Sequence, residues 1–219
     1  MTEKPVAGRD SRETVFIVDD DSSICEGLSN LFESVGISAR QFPSAEAFKR
    51  QWSDANAGCL LLDARLPGMS GVEFQEQMKE AGIDIPVIFM TAHGDVPMVR
   101  KVMKAGAIEF LTKPFQKEEL LLAVEHAFES DRMRRREESI HESISARIRS
   151  LTDREREVMS MVTAGLLNKQ IASELNLSEI TVKLHRRHVM DKMKAGSLAE
   201  LVKLCERVKA NSWSSDSQS

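Results

Sequence analysis

Thr14-Val15-Phe16-Ile17-Val18-Asp19-Asp20-Asp21 runs five β-forming residues without a break into three carboxylates, and an amphipathic stretch follows at Ser22–Ser34. A strand that is apolar on successive residues, rather than on alternate ones, is covered on both faces, as happens in parallel sheets flanked by helices. The same unit recurs along the chain. Ser38–Phe42, Gly58–Asp63, Pro86–Thr91 and Ile108–Thr112 read as further strands, each followed by enough amphipathic sequence for a helix. Five such pairs predict an α/β fold, a doubly wound five-stranded parallel sheet.

In sheets of this kind ligands bind outside the carboxyl ends of the strands, near the point where strand order reverses. An order of 2-1-3-4-5 sets strands 1, 3, 4 and 5 side by side, and their ends carry Asp19-Asp20-Asp21, Asp63, Thr91 and Lys113-Pro114. Carboxylates crowded together raise one another's pKa unless a cation neutralises them. Mg²⁺ suits such a cluster, because it takes a few carboxylates together with water and phosphate oxygens. Asp63 is then a candidate nucleophile for phosphoryl transfer. Lys113 and the metal would counter charge on the phosphoryl oxygens, and Thr91 would hydrogen-bond one of them. The plain alternative for an aspartate at a strand end is a helix N-cap, which Asp20 or Asp21 can provide before Ser22. Taken one at a time, Thr91 reads as a β-former, Lys113 as a solvated cation and Phe110 as core.

Beyond Leu151 the apolar period becomes helical. Thr152-x-x-Glu155 and Ser197-x-x-Glu200 read as capping boxes, Ser178 as an N-cap, and Asn168–Leu175 as a further helix, so four short helices are expected, the last over Leu198–Val208. Ile171 and Leu175 on one helix, with Ile180, Val182 and Val189 on the next, are expected to lock that pair together across the short Asn176-Leu177 loop. Between the two regions Asp131-Arg132-Met133-Arg134-Arg135-Arg136-Glu137-Glu138 contains no Gly or Pro. It either prolongs the fifth helix or links the domains as a separate one. The approximate heptad Met133, Ile140, Ile144 is too thin for a coiled coil. The resulting division is residues 14–128, a linker over 129–149, a second, all-α four-helix domain over 150–208, and a flexible tail over 209–219.

Composition narrows the function classes. The 219 residues are 42% hydrophobic and 29% charged, which excludes disordered and collagen-like chains. The longest apolar runs, such as Cys59–Leu62, fall far short of a membrane span, and the charged first twenty residues do not resemble a signal peptide, so no membrane association is expected. Cys25, Cys59 and Cys205 lack metal-like spacing and read as reduced thiols in a cytoplasmic protein. The net charge of −4 conceals an asymmetry. Residues 1–129 hold 13 Lys and Arg against 21 Asp and Glu, whereas Lys183, Arg186, Arg187, Lys192 and Lys194 face Asp191 alone within 181–194. Basic residues on a short helix are often just a solvated face. Here they form a local basic patch on the helix that follows the short Asn176-Leu177 loop.

Val-Asp-Asp-Asp, Leu-Leu-Leu-Asp-Ala-Arg-Leu-Pro-Gly-Met-Ser-Gly, Met-Thr-Ala-His-Gly and Leu-Thr-Lys-Pro-Phe together resemble the receiver domain of two-component response regulators, over roughly residues 14–130. The resemblance implies that Asp63 accepts a phosphoryl group from a sensor histidine kinase, with Mg²⁺ held by Asp19, Asp20, Asp63 and the backbone carbonyl of Arg65. It implies a switch pair of Thr91 and Phe110, a cis Lys113-Pro114 bond, and influence of Arg65 and His93 on the lifetime of the acyl phosphate. Asp21 departs from the residue usual after the acidic pair and stays outside the metal set. The region 150–208 resembles the LuxR-type helix-turn-helix. That resemblance places base contacts at Lys183, Leu184 and Arg187, Lys and Arg suiting guanine acceptors and Leu184 a thymine methyl. Lys169, Thr181, Arg186 and Lys192 are candidates for phosphate. The whole is similar to the FixJ type. It implies a transcriptional regulator of double-stranded promoter DNA, a homodimer once activated through the face around Pro97–Ala105, the fifth strand and Glu118–Phe128, and RNA polymerase as a further partner. A phosphohydrolase would need a second carboxylate just past the nucleophile, which Asp63-Ala64-Arg65 does not offer. A phosphorylation-independent scaffold is disfavoured by the complete acidic set.

Overall fold

A computed structural model describes residues 13–53, 57–92 and 96–216. The chain divides into two compact units, with the boundary between Arg134 and Arg135. In the first unit β1 (Glu13–Val18), β2 (Ser38–Phe42), β3 (Ala57–Asp63), β4 (Val87–Thr91) and β5 (Glu109–Thr112) alternate with α1 (Ser22–Ser34), α2 (Ala45–Gln51), α3 (Gly71–Glu80), α4 (Val96–Lys104) and α5 (Lys117–Arg149). The strands form one parallel sheet in the order β2-β1-β3-β4-β5, the doubly wound arrangement expected from the strand periodicity.

Both faces of that sheet are covered, and β1 shows how. Phe16 and Val18 point into a core shared with Phe48 on α2, Phe74 on α3 and Val102 on α4. Val15 and Ile17 point the other way, onto Phe32 of α1 and Leu120, Val124 and Phe128 of α5. Successive strand side chains take opposite faces, so an unbroken apolar run is what two helical layers require. Each fully buried Phe or Leu contributes about 1.5–3 kcal/mol relative to exposure. Gly58 has φ +138°, and a Cβ there would lie 1.9 Å from the Thr14 carbonyl oxygen. The close approach of β3 to β1 at this point therefore needs glycine. The Gly58 amide donates to Asp131 Oδ2 at 2.9 Å, and Arg134 pairs with the other oxygen of Asp131 at 2.6 Å. These bonds hold α5 to the sheet beyond Phe128.

The charged stretch after Phe128 is part of α5, a single helix of 33 residues. Its final turns belong to the second unit, where Ile144 is buried and Ile140 and Ile148 pack beside it. That is the use of the sparse apolar stripe noted in the sequence. The second unit continues with α6 (Asp153–Thr163), α7 (Asn168–Glu174), α8 (Glu179–Met193) and α9 (Leu198–Asp216), closed over Val158, Val162, Ile171, Val182, Val189 and Leu201. The last helix thus runs past Val208.

Thr152 and Glu155 form the expected capping box on α6, and Ser178 caps α8 by accepting from the Thr181 amide at 3.1 Å. At α9 the expected box is only half realised. Ser197 Oγ accepts from the Glu200 amide, but the Glu200 carboxylate takes the amide of Gly196 instead. Asn176, at the turn between α7 and α8, has φ +54°, a conformation that Asn tolerates because its short polar side chain can bond locally. Ile180 is a correction to the expected core: it is 80% exposed, because the phase of α8 set by Val182, Val189 and Met193 turns it to solvent. The three cysteines are free thiols, Cys25 and Cys59 buried and Cys205 half-buried.

Candidate functional site

Register brings the strand ends together. Val18 pairs with Leu62, so the next residue of each strand, Asp19 and Asp63, emerges beside the other. Thr91 pairs with Thr112, so Lys113 follows directly, its amide donating to the Thr91 carbonyl at 2.7 Å. The Lys113 ammonium donates to Asp19 Oδ2 and to Asp63 Oδ2, both at 2.6 Å. The Lys113-Pro114 bond is cis. Asp63 Oδ1 accepts from the Arg65 amide at 2.7 Å, within a tight turn in which Arg65–Leu66 pairs antiparallel with Met69–Ser70.

The electrostatics follow from burial. Asp19 is buried, and desolvation raises its pKa above the usual carboxylate value despite the hydrogen bonds from Lys113 and from the Asp21 amide. Burial alone would lower the pKa of Lys113. Its hydrogen bonds to Asp19 and Asp63 outweigh that and hold the ammonium charged, above the ordinary lysine value. Asp63 keeps 14% of its side chain exposed, so solvent reaches its carboxylate. Asp20 is exposed. Asp21 is the N-cap of α1, accepting from the Ser23 amide at 2.8 Å and the Ile24 amide at 3.3 Å, so of the two candidates it is Asp21 that caps. Thr91 is buried and Phe110 half-buried against the α2–α4 core. His93 lies outside the described residues.

One supporting residue escaped the sequence reading. A Cβ on Gly71 would sit 2.6 Å from the Asp63 carbonyl oxygen and 2.9 Å from the Phe89 ring. Glycine at the start of α3 is therefore what lets that helix close on the Asp63 backbone. The Pro-Gly-Met-Ser-Gly run carried the signal, but nothing in it says which glycine meets a backbone.

Among the described residues no three His, Cys, Asp or Glu stand together as a ready-made metal cage. The donor set nevertheless suits Mg²⁺. Asp19, Asp20 and Asp63 supply hard oxygens, and their charge exceeds what the single ammonium of Lys113 balances.

In the second unit Lys183, Leu184 and Arg187 are exposed on one face of α8, and Lys169 is exposed on α7. Thr181 is half-buried, its hydroxyl 2.8 Å from Ser178 Oγ. Arg186 donates to Asn168 Oδ1 at 2.7 Å and so ties α8 to the start of α7. Lys192, a candidate for phosphate, donates to Glu155 Oε2 at 2.6 Å and to the Ser150 carbonyl at 3.2 Å. Glu155 is buried, with His188 Nδ1 3.6 Å from its other oxygen. The bond from Lys192, with that from the Thr152 amide, lowers its pKa below the usual glutamate value. A buried carboxylate needs a cation, and Lys192 supplies one at 2.6 Å.

Residues 15–125 match the response regulator receiver domain family, and residues 149–205 match the bacterial regulatory proteins of the luxR family. Nodulation protein W of Bradyrhizobium diazoefficiens is 46% identical over 196 residues, which cover 90% of this chain and 86% of that protein. This chain belongs to the two-component response regulators. Among solved structures, the response regulator StyR aligns with a TM-score of 0.80 at 46% identity, covering 90% of this chain and 99% of that one. Full-length FixJ from B. japonicum aligns with a TM-score of 0.55 at 38% identity, covering 91% and 98%. The regulator thus joins a receiver to a LuxR-type DNA-binding domain, and its relatives include response regulators and transcriptional regulatory proteins. Among the described residues no helix is long and apolar enough to cross a membrane.

Proposed function

We propose that Asp63 is the phosphoacceptor of this regulator and that its phosphorylation raises affinity for promoter DNA. The observation that carries the reading is the disposition of Asp63. It is held by Lys113 on one oxygen and by the Arg65 amide on the other, and it is still open to solvent. A carboxylate oxygen of Asp63 attacks the phosphorus of a phosphohistidine in the sensor kinase. The new O–P bond forms as the N–P bond breaks, and the electron pair leaves on the imidazole nitrogen. The Lys113 ammonium, kept charged, offsets negative charge gathering on the phosphoryl oxygens. Asp19, Asp20, Asp63 and the Arg65 carbonyl would hold Mg²⁺, which supplies further charge neutralisation when bound. The receiver thereby promotes its own phosphorylation and dephosphorylation and turns over no other substrate.

Thr91 lies beside this site and Phe110 next along the sheet, in position to convert phosphorylation into movement of the α4, β5 and α5 face. That face suits self-association: Met103 and Leu122 are exposed apolar residues there, and Phe110, Leu122 and Ala123 line a groove of about 500 Å³. Dimerisation places two reading heads together, and each raises the effective concentration of the other at paired half-sites. Lys183, Leu184 and Arg187 read bases, Lys169 anchors phosphate, and Thr181 and Arg186 sit at the margin of the same surface. Lys192 is a further phosphate contact and, through Glu155, also holds α8 in place. RNA polymerase is the further partner in the cytoplasm.

The test is Asp63→Asn with a small phosphodonor and Mg²⁺. Wild type takes up one phosphoryl group by intact-mass measurement and binds its DNA more tightly, whereas the variant does neither. Equal uptake by the variant would remove Asp63 from the acceptor role.

A further inference from the structure

Ile180 is 80% exposed and Leu184 51% exposed, one helical turn apart on α8. The core of the second unit does not need either of them. Val182, Val189 and Met193 fill the opposite side of the helix and are buried. Two large apolar side chains left side by side in water suit a surface that is covered when the protein works. Lys183 and Arg187 flank this pair, within a stretch that holds five cations and one carboxylate. The surface covered must therefore be anionic overall and apolar at one or two points. DNA has that combination in the major groove, where thymine alone presents a methyl group among hydrogen-bonding base edges.

We infer that Ile180 is a specificity-determining residue that packs on the C5-methyl of a thymine, next to the thymine met by Leu184. The inference rests on the DNA-binding reading above and sharpens it. Ile180 lies in the first turn of α8, just after the Ser178 cap, at the end of a recognition helix that approaches base edges. Side chains four apart on a helix are separated by about 5–6 Å, against a rise of about 3.4 Å per base step. The two methyls therefore fall one or two steps apart. The half-site is predicted to carry a closely spaced pair of thymines beside the guanine contacted by Lys183 or Arg187.

Deoxyuridine removes the thymine methyl and keeps every hydrogen-bonding group. The phosphodonor-treated full chain is used to select duplexes from a random pool, and each thymine of the selected site is replaced by deoxyuridine in turn. Wild type is expected to lose about three- to fivefold in affinity at the Ile180 thymine, the equivalent of one buried methyl. Ile180→Ala should bind the thymine duplex correspondingly less well and become indifferent to that replacement, while remaining sensitive at the Leu184 thymine. Ile180→Val should fall between. Because the residue is exposed, the thermal melt of both variants should match wild type. Indifference of wild type at every thymine but the one met by Leu184, or equal weakening of thymine and uracil duplexes by Ile180→Ala, overturns the inference and leaves the DNA-binding reading standing. Failure to select any sequence overturns both.

Discussion

At the carboxyl ends of the sheet, Asp19 and Lys113 are withdrawn from water and bonded to each other, whereas Lys183 and Arg187 on α8 stand in solvent. The difference follows from what each region binds. A phosphoryl group is small, so the charges that receive it are held in fixed positions in a partly desolvated site, where each is worth more than in water. DNA is a long polyanion with its own counterions, and cations that meet it are most useful when mobile and hydrated, since affinity comes from counterion release. Glu155 and Lys192 show that the helical domain also contains a charge pair of the first kind, used there for architecture.

The largest effect that would break this contrast is expected from Lys113→Met. Without divalent ions the variant leaves Asp19 and Asp63 facing each other without their cation, and the receiver should lose about 3 kcal/mol, read from urea unfolding of the variant and wild type. No loss would mean that the pair is solvated after all. A smaller effect, about 2 kcal/mol at neutral pH, is expected from Glu155→Gln, measured by amide exchange along α6 and α8. The pH dependence has a definite sign. The folded pKa of Glu155 is depressed, so its contribution is complete above the ordinary value of 4.5 and fades as pH falls through the folded pKa. Wild type and Glu155→Gln should therefore converge in acid and separate at neutral pH. The smallest effect belongs to the solvated charges. Lys169→Ala should weaken all duplexes alike and lower the salt slope by about 0.9, while Lys183→Ala should weaken sites unequally according to sequence. Identical profiles for the two would erase the division between anchoring and reading.

Much of the receiver was legible in advance because its signals are local. Apolar runs such as Val15–Val18 mark strands buried on two faces, and a chemistry-bearing residue at a strand end lies at the ligand-binding edge whatever the loops do. The second unit was read less completely, for a physical reason. Ile180 looks like core in the sequence, since its exposure depends on the phase of α8 about its axis, which Val182, Val189 and Met193 set through contacts distant in the chain. Lys192 looks like one more cation of a basic run, and only the burial of Glu155, 37 residues away, draws it inward. The half-formed box at α9 turns on a choice between two neighbouring amides that composition does not encode.

The sequence alone determined the strand and helix periods, the acidic and basic division of the chain, and the residue types offered at each strand end. These depend on side-chain chemistry and on spacings of two or 3.6 residues, which any reader of the chain can count. Tertiary structure alone decided which carboxylate caps α1, which ones share the Lys113 ammonium, which lysine serves the core and which apolar residues remain in water. Those outcomes depend on register and helix phase, and on the desolvation that follows when segments far apart in sequence close on one another.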